Sequence, residues 1–239
     1  QADRVFFVDK LSERDDVADI VINLLRFFKD ESCGQCTPCR VGTDKSTHLI
    51  AEKKWNQPLI KELSQAMMDA SICGLGQAGM RPDGNCRACM VEIKGERVLA
   101  PSCCRFPKAG MEVASDSARA TASQKMVLEL LLSDMPAESY TRDDELHDWS
   151  QKLEVSKPRF YTRAQPKQDI SHPAIAVNLD ACIQCGRCAR ACREEQMNGV
   201  IGFAGRGSHS KIVFDFDDPM GDSTCVGCGE CVQACPTGA

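Results

Sequence analysis

The sequence is poor in the residues that transform substrates. Its 239 residues hold four histidines, His48, His147, His172 and His209, and they are scattered. No Ser/His/Asp or Cys/His set is legible, and no phosphate loop or dinucleotide glycine fingerprint follows a strand-like segment. No catalytic residue is therefore expected in this chain. No apolar run reaches the roughly 18 residues that argue for a membrane helix. No apolar signal stretch opens the chain, and no basic run accompanies its net charge of −5, which argues against nucleic acid. Aromatics make up only 5 % of the residues, as expected of a chain whose cores are partly something other than side chains.

Cysteine is what the chain has in abundance. Sixteen are present. A secreted, disulfide-stapled protein is one reading of that number. The absence of a signal stretch, the C-x2-C grouping and the long amphipathic segments favour metal ligation in a reducing compartment, the cytoplasm. The last third carries two matching C-x2-C-x2-C-x3-C runs: Cys182, Cys185, Cys188 and Cys192, then Cys225, Cys228, Cys231 and Cys235, followed by Pro236. That spacing suits two [4Fe-4S] clusters that exchange their fourth ligand. Cys182, Cys185, Cys188 and Cys235 would hold one, and Cys225, Cys228, Cys231 and Cys192 the other. A pair of zinc sites is the alternative, although zinc takes four ligands from two C-x2-C pairs and leaves the third cysteine of each run unexplained.

Two further sites lie upstream. Cys33, Cys36 and Cys39 again step by three, and the next thiol along is Cys73, so these four are candidates for a third [4Fe-4S]. Cys86, Cys89 and Cys103 form a C-x2-C-x13-C pattern that fits a [2Fe-2S] site. Its upstream ligand is either missing or, again, Cys73. Structural zinc is the alternative at the first, and a rubredoxin-like or zinc hairpin at the second. Cys104 reads as a spare thiol pointing away from Cys103. Arg40, Arg87, Arg105, Arg187, Arg190 and Arg193 flank these loops; a solvated surface or partner contact is preferred for them over tuning of cluster potentials.

Along the chain, Arg4–Val8 reads as a strand. A helix follows from Asp15, with Val17, Ile20, Val21, Leu24, Leu25 and Phe28 on one face and Ser12 or Asp15 as cap. Further helices are expected over Lys45–Lys54 and from Pro58 toward Cys73. Met90–Ile93 and Arg97–Ala100 read as a tight hairpin across Lys94-Gly95-Glu96. A helix capped by Asp116 carries Val127, Leu130 and Leu131. Residues 133–172 read as a polar linker with one short helix, Ile175–Asn178 as a strand, and Val200–Ala204 with Lys211–Phe216 as a second hairpin.

The strings RPDGNCRACMVEIKGERVLAPSC, NLDACIQCGRCARACRE and KIVFDFDDPMGDSTCVGCGECVQACPTGA resemble the N-terminal iron–sulfur region of the alpha (large) subunit of NAD-dependent molybdenum or tungsten formate dehydrogenases. That resemblance covers residues 79–239. The same region is similar to the electron-input arm of complex I and to the arm of iron-only hydrogenases. Those relatives usually carry an additional His-x3-Cys-x2-Cys-x5-Cys cluster, whereas residues 105–181 here contain no cysteine. ESCGQCTPCRVGT and DASICGLGQA, within residues 1–78, resemble the C-terminal helical domain of the flavin (beta) subunit. In that family, the cysteines matching Cys33, Cys36, Cys39 and Cys73 hold a [4Fe-4S] beside FMN.

The resemblance implies an α+β chain. Residues 1–78 would form a helical bundle around a [4Fe-4S] site. Residues 79–132 would form a partial β-grasp [2Fe-2S] region plus a helix, 133–172 a linker, and 173–239 a bacterial-type ferredoxin domain with two [4Fe-4S] clusters. It implies an electron relay between a molybdopterin formate site and a flavin/NAD site. FMN and molybdopterin would lie in missing or partner parts, and a flavin/NAD-binding subunit and a pterin domain would be the partners. A complex I-like or hydrogenase diaphorase module, and a free-standing ferredoxin-type carrier, are the rivals. Cys73 is claimed twice, which suggests that Ala78–Gly79 joins pieces of two subunits or lacks a segment. The ends, Gln1 and Ala239, suggest a piece of something longer.

Overall fold

The computed structural model describes residues 17–31, 36–52, 55–70, 75–77, 80–106, 108–142, 144–155 and 157–239. The expected first strand, the caps at Ser12 and Asp15, the thiols of Cys33 and Cys73, and the Ala78–Gly79 peptide lie outside them. What is described is a mixed helix and sheet fold with three small sheets.

Three helices come first: α1 (Val17–Glu31), α2 (Thr37–Ala51) and α3 (Gln57–Ala70). Helix α3 starts where Pro58 is expected to start it, since a first-turn proline loses no helical hydrogen bond. Helix α2 begins eight residues before the expected Lys45, at Cys36 as N-cap with Pro38 in the first turn. Few of its residues are apolar, yet most are buried. The reason is a polar cover. Lys45 Nζ bonds Asp134 at 2.6 Å and the Tyr161 carbonyl at 2.7 Å. The Tyr161 hydroxyl donates to Asp44, which also pairs with Lys29 of α1 at 2.5 Å. A buried ammonium is tolerable only when paired in this way. Close approach of α3 is permitted by Gly42, where a Cβ would stand 2.8 Å from Met67 Cγ.

Helix α4 (Ala118–Leu132) is the central element. Apart from Glu129, the residues from Met126 to Leu132 are apolar on all sides, the pattern of a helix covered all round. Met126 and Leu130 join Val41, Leu59, Leu63 and Phe160 in one core, while Val127, Leu128 and Leu131 meet Leu146 and Ile183 in another. Ser117, rather than the expected Asp116, caps it, accepting from Ala120 N at 3.2 Å. Its buried Glu129 is held by Arg159 through three bonds of 2.8 Å. The stretch 133–172 carries one short helix, α5 (Glu145–Lys152), and its residues Phe160, Tyr161 and Arg159 pack onto α2 and α4.

Strands β1 (Leu75–Gln77) and β2 (Met80–Asp83) pair antiparallel. The next sheet has three strands in the order β4-β3-β5: β3 (Met90–Ile93), β4 (Ala100–Pro101) and β5 (Val113–Ala114). The turn at Lys94-Gly95 forms, with Gly95 at φ 88°. The returning chain does not pair at once, however: Met90 meets Pro101, and Ile93 meets Val113. The expected tight hairpin is thus a wider loop plus a third strand. Gln124 Nε2 donates to the Met90 carbonyl at 2.7 Å and ties this sheet to α4.

The last region contains β6 (Ile201–Ala204) and β7 (Lys211–Phe214), antiparallel as expected, with two short helices, α6 (Arg187–Arg190) and α7 (Glu230–Ala234), packed together. The expected strand at Ile175–Asn178 is reduced to a single bridge, Asp169 with Val177. Val177, Ile201, Ile212, Phe214 and Met220 form a core against which Cys182, Cys188, Cys225 and Cys231 pack.

Candidate metal centres

The two cysteine runs fold alike. In the first, Gln184 and Gly186 take φ of 52° and 79°; in the second, Gly227 and Gly229 take 66° and 82°. Two left-handed residues on either side of the middle cysteine curl each loop around its thiols. Backbone amides point at sulfur: Gln184 N donates to Cys182 Sγ at 3.3 Å, and Gly227 N to Cys225 Sγ at 3.4 Å. Such N–H···S bonds stabilise thiolate ligands. Cys192 sits in a π-helical turn, Ala191–Glu195, that continues α6. Cys235 ends α7 and accepts from Ala239 N at 3.3 Å.

The thiols gather into two sets. Burial pushes Cys188 well above the usual thiol range, and Cys182, Cys185, Cys235 and Cys231 add repulsion. Burial lifts Cys185 to about 12, with Cys182, Cys235 and Cys86 adding. Burial lifts Cys231 to about 11, with Cys225, Cys228 and Cys192 adding. Cys182, Cys185 and Cys235 thus act on Cys188, and Cys225, Cys228 and Cys192 act on Cys231, with Cys188 and Cys231 where the sets meet. Cys182, Cys185, Cys188, Cys231 and Cys235 line a cavity of about 50 Å³ walled by Ile201, Phe214 and Met220. A pocket of thiols in apolar walls, with amides donating to sulfur, fits an iron–sulfur cluster. Among the described residues, no three His, Cys, Asp or Glu side chains are gathered as a single metal ion requires.

Upstream, Cys36 is buried at the head of α2, and hydrogen bonding to Cys39, then burial, raises its thiol. Thr37 N donates to the Asn85 carbonyl at 3.0 Å, and Asn85 Nδ2 to the Cys185 carbonyl at 3.2 Å. Asn85 therefore straps the head of α2 to the first ferredoxin loop, beside Cys86. Arg40 does the same from α2, donating to the Ile183 carbonyl at 3.1 Å. Burial pulls its guanidinium down to about 10; Arg163 adds to this, while Cys182, Cys36 and Cys185 oppose it.

At the hairpin site, Cys89 and Cys103 have their sulfurs 3.2 Å apart. Its hydrogen bond with Cys103 draws Cys89 down to about 6. Cys104, expected to point away, has its sulfur 3.6 Å from that of Cys103. The expectation of surface arginines holds for Arg105 and Arg193, with side chains 45 % and 65 % exposed, and fails for Arg40, Arg87 and Arg190, all buried at 3 % or less. Asn85, which sequence reasoning passed over, has no spacing signal to reveal it.

Three family descriptions match in chain order. The iron–sulfur binding region of NADH-ubiquinone oxidoreductase-F matches residues 19–86, a 2Fe-2S cluster binding domain residues 66–118, and a 4Fe-4S dicluster domain residues 181–239. An NADP-reducing hydrogenase subunit, HndD, of Solidesulfovibrio fructosivorans is 36 % identical over 65 % of this chain and 27 % of its own length. A subunit of an NADH-quinone oxidoreductase of Rhizobium meliloti is 32 % identical over 66 % of this chain and 19 % of its own. A putative formate dehydrogenase of Staphylococcus haemolyticus is 28 % identical over 71 % and 17 %. The chain is similar to iron–sulfur subunits of NADH-quinone oxidoreductases, hydrogenases and formate dehydrogenases. It is an electron-transfer module and spans only 17–27 % of the length of these relatives. Among solved structures, an NAD+-reducing [NiFe]-hydrogenase in the H2-reduced state matches this module with a TM-score of 0.59. The two are 27 % identical, and the match covers 64 % of this chain and 67 % of the other.

Proposed function

We propose that this module is the relay of an NAD-dependent formate dehydrogenase, carrying electrons between a molybdopterin formate site and a flavin/NAD site in other parts of the protein or its partners. Three [4Fe-4S] clusters and one [2Fe-2S] cluster are its cofactors. Cys182, Cys185, Cys188 and Cys235 hold one cubane, and Cys225, Cys228, Cys231 and Cys192 the second. Cys33, Cys36, Cys39 and Cys73 hold the third; Cys86, Cys89 and Cys103 serve the two-iron site. Its place of work is the cytoplasm.

The observation that carries the relay is continuity. Cys231 lies in electrostatic reach of Cys188, and Cys86 in reach of Cys185. Arg40 lies among Cys36, Cys182 and Cys185. When bound, the clusters supply one-electron carriers placed in series. The protein's residues bury the inner thiols, exclude water through Ile201, Phe214 and Met220, and fix sulfur with backbone amides. The outer end is Cys228, exposed beside Val226 and Val232.

Formate is preferred as the electron source because residues 105–181 lack the cysteines of the additional cluster. A hydrogenase reading is the second, favoured by the 36 % identity to the hydrogenase subunit. Anaerobic purification with native partners tests both. About 14 iron atoms per chain are expected from these ligand sets. Formate should bleach the visible absorption and NAD+ restore it. Bleaching by hydrogen and not by formate would replace the first reading with the second.

A further inference from the structure

Arg87 stands apart from every other buried cation described. A guanidinium stays charged in proteins and carries five donors. Arg87 is 1 % exposed, and its Nε and Nη2 atoms are buried with no hydrogen-bond partner among the described residues. The other buried cations have partners: Arg40 bonds the Ile183 carbonyl, Arg190 bonds Glu194, and Lys45 bonds Asp134. A buried charge without a counter-charge is strongly unfavourable. The backbone adds to the cost, because Arg87 adopts φ 61°, a left-handed conformation that a bulky residue rarely takes. Strain of this kind gathers at functional sites.

Arg87 lies between Cys86 and Cys89 in the hairpin loop, and Thr37 N, next to Cys36 at the head of α2, donates to the Asn85 carbonyl two residues before it. Asn85, its near neighbour in the chain, binds both the α2 backbone and the Cys185 carbonyl. The residue thus lies where the two upstream cysteine sites approach each other.

We infer that Arg87 is a shared positioning residue for the two upstream clusters: its unpaired N–H groups donate to cluster sulfur, and its charge holds both reduction potentials up. This rests on the reading of those cysteines as cluster ligands. The sign follows from charge. Reduction adds one electron to a thiolate-ligated, anionic centre, and a fixed positive charge close by favours the more negative product. Without the guanidinium, the reduced form is less stable and the potential falls.

The test is an anaerobic redox titration with dithionite, followed by EPR, on the protein, Arg87→Gln and Arg87→Lys. In Arg87→Gln, the signals of the two upstream clusters should shift negative by about 59 mV or more, a tenfold change in each one-electron equilibrium. The cluster at Cys225, Cys228 and Cys231 should keep its potential. Arg87→Lys retains the charge but not the fork and should shift in the same direction by less. Unchanged upstream potentials in a fully loaded Arg87→Gln overturn the inference, as does an equal shift of all clusters. If Arg87→Gln loads no upstream iron, Arg87→Lys decides: a negative shift supports the role and the unaltered potential ends it. Failure of the relay reading looks different, because the unsubstituted protein itself would then lack iron and sulfide.

Discussion

The two cysteine runs share a spacing and a backbone path but not an environment. In the first, Ala181, Gln184, Ala189, Arg190 and Cys192 are all buried. In the second, Val226 is 68 % exposed, Val232 is 55 % exposed and Cys228 is exposed. Identical ligand patterns therefore make an inner site and an outer one. The inner run touches Arg40 and Asn85 from upstream elements. The spacing sets the cage; what packs against the cage sets whether it is a way station or an end.

The largest test of that difference compares Cys188→Ser with Cys228→Ser. Both should lower iron by about four atoms per chain if each cysteine is a ligand. Cys188 packs partly buried against the apolar core, so a serine there also leaves a hydroxyl poorly satisfied. Cluster binding is in part folding free energy, so Cys188→Ser should cost about 3 kcal/mol or more and roughly 10 °C in melting temperature. Cys228→Ser should lose the same iron at a smaller cost in melting temperature, since Cys228 is exposed and no buried hydroxyl is created. Equal losses of stability in a calorimetric scan would erase the distinction between inner and outer runs.

Much of the outer half of this picture is legible in the sequence, and much of the inner half is not. Each ferredoxin loop is local: its cysteines, its glycines and its following helix lie within a dozen residues. Met90–Ile93, the Pro58 helix and the hairpin of β6 with β7 are likewise local patterns. The burial of Arg40 depends on a carbonyl 143 residues away, and no spacing announces that. Helix α2 starts unexpectedly early because its covering surfaces are polar, so it lacks the apolar stripe that periodicity detects; Cys36 and Pro38 are the local start signal. Strand β5 has two residues, too few for any alternation. Cys73 falls in the stretch that two family matches share, since the NADH-ubiquinone oxidoreductase-F iron–sulfur region ends at residue 86 and the 2Fe-2S domain begins at residue 66.

The next test removes what the inner run receives from upstream. Arg40→Ala frees the Ile183 carbonyl and empties a buried position. A cost of about 2 kcal/mol is expected, in the range for hydrogen bonds to charged groups. It should appear as a lower urea midpoint, with the outer run's EPR signal still present. A smaller effect follows from making the loops more alike. Gly227 occupies the position that Gln184 holds in the first run, and a Cβ there meets only the His172 ring, at 3.8 Å. Gly227→Gln therefore meets a conformational cost rather than a clash, about 1 kcal/mol for a left-handed residue. In the first run, Gln184 Nε2 donates to the Ser210 carbonyl, which offsets the same strain. An unchanged melting temperature would show that the outer loop relaxes freely.

The smallest expected effect concerns Arg187, a half-buried residue of the inner run. Arg187 pairs with Glu145 at 2.6 Å, and the glutamate side chain is 55 % exposed. Exposed pairs are screened and contribute little, so Glu145→Gln should cost about 0.5 kcal/mol. The backbone of Glu145 is held separately, donating to the Pro236 carbonyl at 2.9 Å, so α5 should stay against the end of the second run when the charge is removed. The substitution therefore isolates the ion pair from the docking of the helix. The difference between variant and parent should shrink further in high salt, where the Debye length falls to about 3 Å at 1 M. A cost that survives high salt would mean that Glu145 acts through packing, and that the inner run is enclosed on this side as well.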